Sequence, residues 1–326
     1  MGKPALTHRA GLCAALLAFV VAGCGGGDDE EGTPAVSVGT PGEGGTLVWA
    51  VAGPITTTDP LGASTRAEEI LVRQVNEPLT ERLAGSFDVD RRVPGLAVRA
   101  MSSADDTVWT FELRDGVVFQ DGETPFDSAA VQANATRWMT TAAGRALLPD
   151  LVSVDAPSPG EVRFALAAPD PRFPKRLATP QLGIVSPAAL SPSSGDGAVV
   201  TRPSQIGTGA FELRQRDRGL ALLARNTGWW GSSAKVELGP ALDQIELKIN
   251  ADSSLRLAML DAGEAQLADE LDPDDARQAG SDPLLSVLPS TGETSLGLER
   301  SVRGVDSGRE IPALSGAWLT GLDAAN

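Results

Sequence analysis

The chain has 326 residues, 42% of them hydrophobic, and 43 acidic against 27 basic side chains give a formal net charge of −16. That length and apolar content support a sizeable core, and the acidic balance argues against nucleic acid or anionic lipid as a partner. The single histidine (His8) and both cysteines (Cys13, Cys24) lie within the first 24 residues, so the rest of the chain has no imidazole or thiol for a nucleophilic triad, a His/Cys metal site or a disulfide. No metal and no cofactor are expected.

The N-terminal end carries Lys3 and Arg9, an apolar run from Leu12 to Ala22, and small residues before Cys24. These are the parts of a secretory signal, and the run is too short to span a bilayer, which takes about 20 apolar residues. Val21-Ala22-Gly23-Cys24 resembles the lipobox of bacterial lipoproteins, with valine where leucine is commoner. That resemblance implies a signal peptide over 1–23 and a membrane anchor on a lipidated Cys24. An ordinary cleaved signal with an incidental cysteine is the blander alternative. Removing Lys3 and Arg9 leaves 25 basic residues and a formal charge of −18. Residues 24–43 are rich in Gly, Asp, Glu, Thr, Pro and Ser, with little to bury, and read as a flexible tether.

The globular part begins at about residue 44. Gly45 to Val51 reads as a buried strand, and Asp59-Pro60 as a loop. Ile70, Leu71, Gln74 and Val75 recur at helical spacing from Arg66, and Pro78 ends or bends that helix. In Val108 to Arg114 the alternation of Trp109, Phe111 and Leu113 with polar residues predicts a strand with one packed and one wet face. Asp115-Gly116 and Asp121-Gly122 are turns flanking a short strand over Val117 to Phe119, and Asp127 or Ser128 caps a helix through Trp138. Val162 to Leu166 is another alternating strand. Phe211 to Arg214 and Leu220 to Ala224 form a hairpin about Arg218-Gly219, and Ile245 to Ile249 a further strand. Asp252-Ser253-Ser254 caps a helix that stops at Gly263. Strands, helices and hairpins in this mixture predict an α/β domain, without a fixed internal repeat.

In this order the segments resemble the family 5 extracytoplasmic solute-binding proteins of ABC importers, which include dipeptide, oligopeptide and nickel binders. Trp109 to Gly122 is similar to the family signature. Asn76-Glu77-Pro78-Leu79, Pro125-Phe126-Asp127-Ser128, Ile184-Val185-Ser186-Pro187 and Gly207-Thr208-Gly209-Ala210-Phe211 stand in register. Asn226-Thr227-Gly228-Trp229-Trp230-Gly231 has Trp229 for the family's tyrosine, and Gly263-Glu264-Ala265-Gln266 has glutamine for its aspartate. The resemblance implies a type II (cluster C) periplasmic-binding-protein fold, with a first lobe over 44–298 built on mixed sheets. Residues 299–326 fall out of register, and the second lobe is expected where this sequence stops. A fragment, a frameshifted gene and a replaced C-terminus are the alternatives for that end.

The function implied is that of a membrane-tethered, extracytoplasmic receptor that binds peptide or another small solute and delivers it unchanged to ABC permease subunits. The first-lobe cleft is expected in the loops after the first strand, with Thr56 and Thr57, and after the Gly-Glu segment, with Asp269 and Glu270. The two acids are candidates to meet a cationic group on the solute; alternatively they cap the helix toward Ala276 or face solvent. Trp229 and Trp230 are candidates for an aromatic wall or for core packing. Gly207-Thr208-Gly209 is too weak to imply a phosphate cradle. Two other classes remain: an enzyme using paired carboxylates, since sequence does not show which acids meet, and a surface interaction lipoprotein without transport activity.

Overall fold

A computed structural model describes residues 44–81, 95–193, 197–200, 206–233, 240, 242–289 and 296–300. The expected signal peptide, Cys24, the tether and the 301–326 segment lie outside the described residues.

Strand β1 (Thr46–Val51) enters the core at once. Leu47 and Val51 pack on one side of the sheet, Val48 and Ala50 on the other. Burial on both faces explains an apolar run without polar alternation. Helix α1 (Arg66–Val75) opens with a capping box between Thr65 and Glu68, which satisfies two free backbone donors reciprocally. Its chain then continues extended through Asn76 toward Pro78, where a helical conformation before proline is disfavoured.

A four-stranded antiparallel sheet follows, ordered β2-β3-β5-β4 from β2 (Ala97–Ser102), β3 (Val108–Leu113), β4 (Leu151–Ser158) and β5 (Glu161–Leu166). Trp109, Phe111 and Leu113 are buried and alternate with half-exposed neighbours, as the two-residue period requires. Phe111 meets Phe164 edge-on with ring centroids 5.5 Å apart. Between β3 and β4 run α2 (Ser128–Thr140) and α3 (Ala142–Leu147). Asp127, rather than Ser128, caps α2 by accepting from the Ala130 N–H at 3.0 Å. The expected short strand over Val117 to Phe119 is reduced to a single bridge between Val118 and Pro125. The turns at Gly116 (φ +73°) and Gly122 (φ +76°) demand a left-handed backbone that glycine adopts without strain.

After α4 (Phe173–Arg176) and the hairpin β6 (Leu190–Ser193) and β7 (Gly197–Val200), the chain returns to the first sheet. Strands β8 (Phe211–Arg216) and β9 (Leu220–Arg225) form the expected hairpin. They are followed by α5 (Trp230–Ser233), β10 (Gln244–Ile249), α6 (Ser253–Asp261), β11 (Leu267–Ala268), α7 (Pro273–Gly280), β12 (Leu285–Pro289) and β13 (Leu296–Arg300). The sheet has seven strands, ordered β12-β13-β11-β1-β10-β9-β8. β1 runs parallel to both β10 and β11, and the remaining pairs are antiparallel. α1 covers one face, and α6 and α7 cover the other. This is the mixed α/β architecture that the sequence predicts. β2, β4, β6, β7, β11, β12 and β13 are additions.

Candidate functional site

β1, β10 and β11 point their carboxyl ends to the same edge of the sheet, and the chain leaves them at Val51, Asn250 and Asp269 as neighbours. The Asn250 N–H donates to Val51 O (2.9 Å), and the Asp269 N–H to Ala50 O (3.0 Å). In open α/β sheets this edge is where ligands bind. Loops 52–65 and 269–272 therefore lie side by side, bringing Thr56 and Thr57 to the same end of the sheet as Asp269 and Glu270.

The loop after β1 is shaped around the buried side chain of Glu68. One carboxylate oxygen accepts from the backbone N–H of Thr56 (2.8 Å) and of Thr57 (3.2 Å), and from the Thr56 hydroxyl (2.6 Å). The other accepts from the N–H of Ser64 (3.0 Å) and of Thr65 (3.1 Å), and from the Ser64 hydroxyl (3.3 Å). Burial works against the charge, but these donors overcome it and hold the carboxyl down at about 2. Both expected threonines are thus part of the loop's own scaffold. The Thr56 hydroxyl is committed to Glu68, and the Thr57 hydroxyl oxygen accepts from the Asp59 N–H at 3.0 Å. Asp59 in turn bonds Arg137 of α2, which ties the loop to the four-stranded layer.

Asp269 is not an open anionic contact. Its side chain is almost fully buried and pairs with Arg66 at 3.1 Å, while its second oxygen accepts from the Glu270 N–H at 3.0 Å. Neither acid caps α7, whose N-cap residue is Asp272. Glu270 is half-buried, has a left-handed backbone (φ +51°) and, among the described residues, its carboxylate accepts no hydrogen bond. Burial raises its carboxyl above the usual range and Asp269 adds to this, while Arg256 and Arg66 pull it back.

Arg256, in α6, is 2% exposed. It donates to the carbonyls of Asn250 (2.7 Å), Asp269 (3.0 Å) and Glu270 (2.5 Å), joining the ends of β10 and β11. A planar guanidinium with five fixed donors suits three acceptors in a way that an ammonium does not. Sequence reasoning missed Glu68 and Arg256, although the Thr65/Glu68 capping-box spacing was a readable signal for the first. Gln266, which stands in place of an aspartate, accepts from the Val48 N–H at 2.8 Å and so braces β1.

Trp229 is not brought to this edge. It follows β9, which runs antiparallel to β10, so it lies at the amino end of β1 and β10. It is 3% exposed, and its indole N–H donates to Glu77 at 3.2 Å. The neighbouring Trp230 N–H donates to the other Glu77 oxygen at 2.8 Å, as does the Thr208 hydroxyl at 2.6 Å. Three of the sequence blocks thus meet on one buried carboxyl. Asn76 adds a fourth by donating to Ile184 O at 3.1 Å.

Gly207 and Gly209 lie directly against the end of α1. A Cβ on Gly207 would stand 1.8 Å from Val75 O, and one on Gly209 2.3 Å from Gln74 O. These glycines permit backbone contact, which accounts for them without a phosphate.

Among the described residues, no cluster of three or more His, Cys, Asp or Glu side chains is placed to hold a metal, and no helix is long and apolar enough to cross a membrane.

A family model described as bacterial extracellular solute-binding proteins, family 5, middle, matches residues 91–302. The glutathione-binding protein GsiB of Shigella dysenteriae serotype 1 (strain Sd197) is 31% identical over 236 residues, covering 68% of this chain and 41% of that protein. GsiB of Escherichia coli (strain K12) is 30% identical over the same length. Among solved structures, DppA from Helicobacter pylori in complex with the peptide STSA superposes with a TM-score of 0.64 at 22% identity, over 77% of this chain and 51% of that one. NikA from Brucella suis in complex with Fe(III)-EDTA gives 0.62 at 25% identity, over 76% and 48%. The fold is therefore that of the type II periplasmic binding proteins. The chain spans 41% of the length of these curated relatives and about half of the solved ones.

Proposed function

We infer, since this chain belongs to the bacterial extracellular solute-binding proteins of family 5, that it is the solute-capturing component of an ABC importer and takes up short peptides. The family match carries this reading, and the carboxyl edge of β1, β10 and β11 supports it with a preformed, rigid pair of loops. Capture is binding without conversion. The bound solute is handed to permease subunits, and nucleic acid is no partner. Relatives whose names include glutathione and peptide complexes make small peptides, glutathione among them, the first solutes to test. Within the cleft, Glu270 faces a cationic group of the solute, while Asp269, Arg66, Glu68 and Arg256 hold the loops in place. Thr56 and Thr57 contribute the loop's outer surface.

The chain works outside the cytoplasm, held to the cell membrane by lipid on Cys24 and carried clear of it by residues 24–43. Two or more acyl chains on one residue give stable anchoring, where a single chain is marginal.

Calorimetry of the full chain against a panel of di- and tripeptides and glutathione tests the reading. Saturable binding that weakens in Glu270→Gln is expected, because that change removes the charge and keeps the shape. Absence of binding across the panel, or unchanged affinity in the variant, overturns the solute class or the role of Glu270 respectively. Metabolic lipid labelling that persists in Cys24→Ser overturns the anchor.

A further inference from the structure

We propose that Glu77 is a proton-operated fastener: losing its proton inside the fold loosens segments 206–211 and 226–230 from the end of α1. The inference is independent of which solute the chain takes. It rests on three donors reaching one fully buried carboxyl from segments more than 130 residues away in sequence.

The chemistry of those donors distinguishes the two protonation states. An indole N–H only donates, whereas a threonine hydroxyl donates or accepts. With a proton on Glu77, its O–H donates to the Thr208 oxygen, and the lone pairs of both carboxyl oxygens still accept from Trp229 and Trp230. The carboxyl then keeps its contact with all three residues and carries no charge. Without the proton the same three donors converge on a full negative charge in an interior that disfavours it.

The charged groups around it are Glu81, which repels it, and Arg114, whose guanidinium feels Glu77 and lies 4.0 Å over the Trp230 ring. Burial pushes the Glu81 carboxyl up to about 7 as well, with Arg73 pulling it part of the way back. Burial and Glu81 prevail over the hydrogen bonds, and the Glu77 carboxyl is pushed up to about 8.

The position of the carboxyl gives the proton mechanical consequence. Trp230 packs against both the core of the four-stranded layer and the core beneath the seven-stranded sheet. The fastened segments complete the junction: Gly209 N–H donates to Val75 O (2.9 Å), Gln120 N–H to Gly207 O (2.9 Å), and Asn226 N–H to Ala210 O (2.8 Å). A group whose folded value is raised contributes stability that is full below its unfolded value, near 4.5, and is lost as pH rises through 8. Between pH 5 and 9 the Glu77 contribution to the folding equilibrium falls on the order of a thousandfold.

Hydrogen exchange of the full chain from pH 6 to 9, corrected for intrinsic rates, reads the junction directly. Protection at the Gly209 and Asn226 amides is expected to fall at least about tenfold between pH 6 and 8 and to level off above it, the bend near 8 serving as the midpoint, while the β3–β5 ladder holds. Thr208→Val should move that midpoint upward, because hydrogen bonds to a charged group are stronger than to a neutral one and their loss disfavours the ionised form more. Glu77→Gln should abolish the pH dependence near 8 and leave only the share that Glu81 contributes near 7. Protection that stays constant across the range, an unchanged midpoint in Thr208→Val, or a transition near 8 that survives in Glu77→Gln overturns the proposal. If Glu77→Gln does not fold, the Thr208→Val midpoint decides alone.

Discussion

Replacing Glu68 with alanine isolates what one buried carboxylate does for the loop beside the candidate cleft. The change strips a common acceptor from four backbone N–H groups and two hydroxyls. Hydrogen bonds to a charged group are worth about 1.5 to 3 kcal/mol each, but Thr56 and Ser64 are exposed, so water replaces part of the loss. A net destabilisation of about 3 to 5 kcal/mol follows, or a fall in Tm of roughly 6 to 20 °C for a domain of this size. The carboxyl drops from 4.5 to about 2 on folding, a stabilisation of about 3 kcal/mol. Its folded value is depressed, so this stability is present above pH 4.5 and is lost as pH falls toward 2. About 2 kcal/mol of it is gone by pH 3. Urea denaturation of wild type and Glu68→Ala at pH 7 and pH 3 should therefore show a gap that narrows by about that amount on acidification. A gap of under about 1 kcal/mol at pH 7, or one that does not change with pH, refutes the assignment.

Arg256→Lys should destabilise by about 3 kcal/mol or more, since one ammonium does not serve three carbonyls from a fully enclosed site; thermal denaturation within about 2 °C of wild type contradicts this. Gly207→Ala should prevent folding or lower Tm by more than about 10 °C, whereas Gly228→Ala, whose added Cβ meets only Asn226 Oδ1 at 3.5 Å, should fold; circular dichroism melts separate the two. Trp109→Ala should lose about 3 to 5 kcal/mol through the cavity it leaves and the lost indole N–H bond to Asp170 O. A Trp109→Ala variant with unchanged Tm but abolished solute binding would reassign that strand from the core to the site.

The elements set by their own residues were legible in the sequence. The two-residue period of Trp109, Phe111 and Leu113, the Asp127 and Asp252 caps, the Asp-Gly turns and the helix stop at Gly263 (φ +72°) all depend on neighbours within a few positions. Hydrophobic period and capping chemistry act over that range, so the chain alone determined them. The ordered blocks also placed it in its family, although not why each block exists. β2 and β4 were missed because bulges interrupt their alternation and much of each strand is exposed. β11, two residues long, is a strand only because β1 lies beside it.

The tertiary structure alone decided which polar groups meet. Glu77 and Trp230 are 153 positions apart, as Asp269 and Arg66 are 203, and no local pattern encodes either pair. Thr56, Thr57, Asp269 and Glu270 share a sheet edge because parallel strands align their carboxyl ends, and Trp229 is excluded from it because β9 runs the other way. An acid facing solvent and an acid buried against an arginine are the same letter in the sequence. The fold separates them by supplying the partner at the right distance and removing the water between.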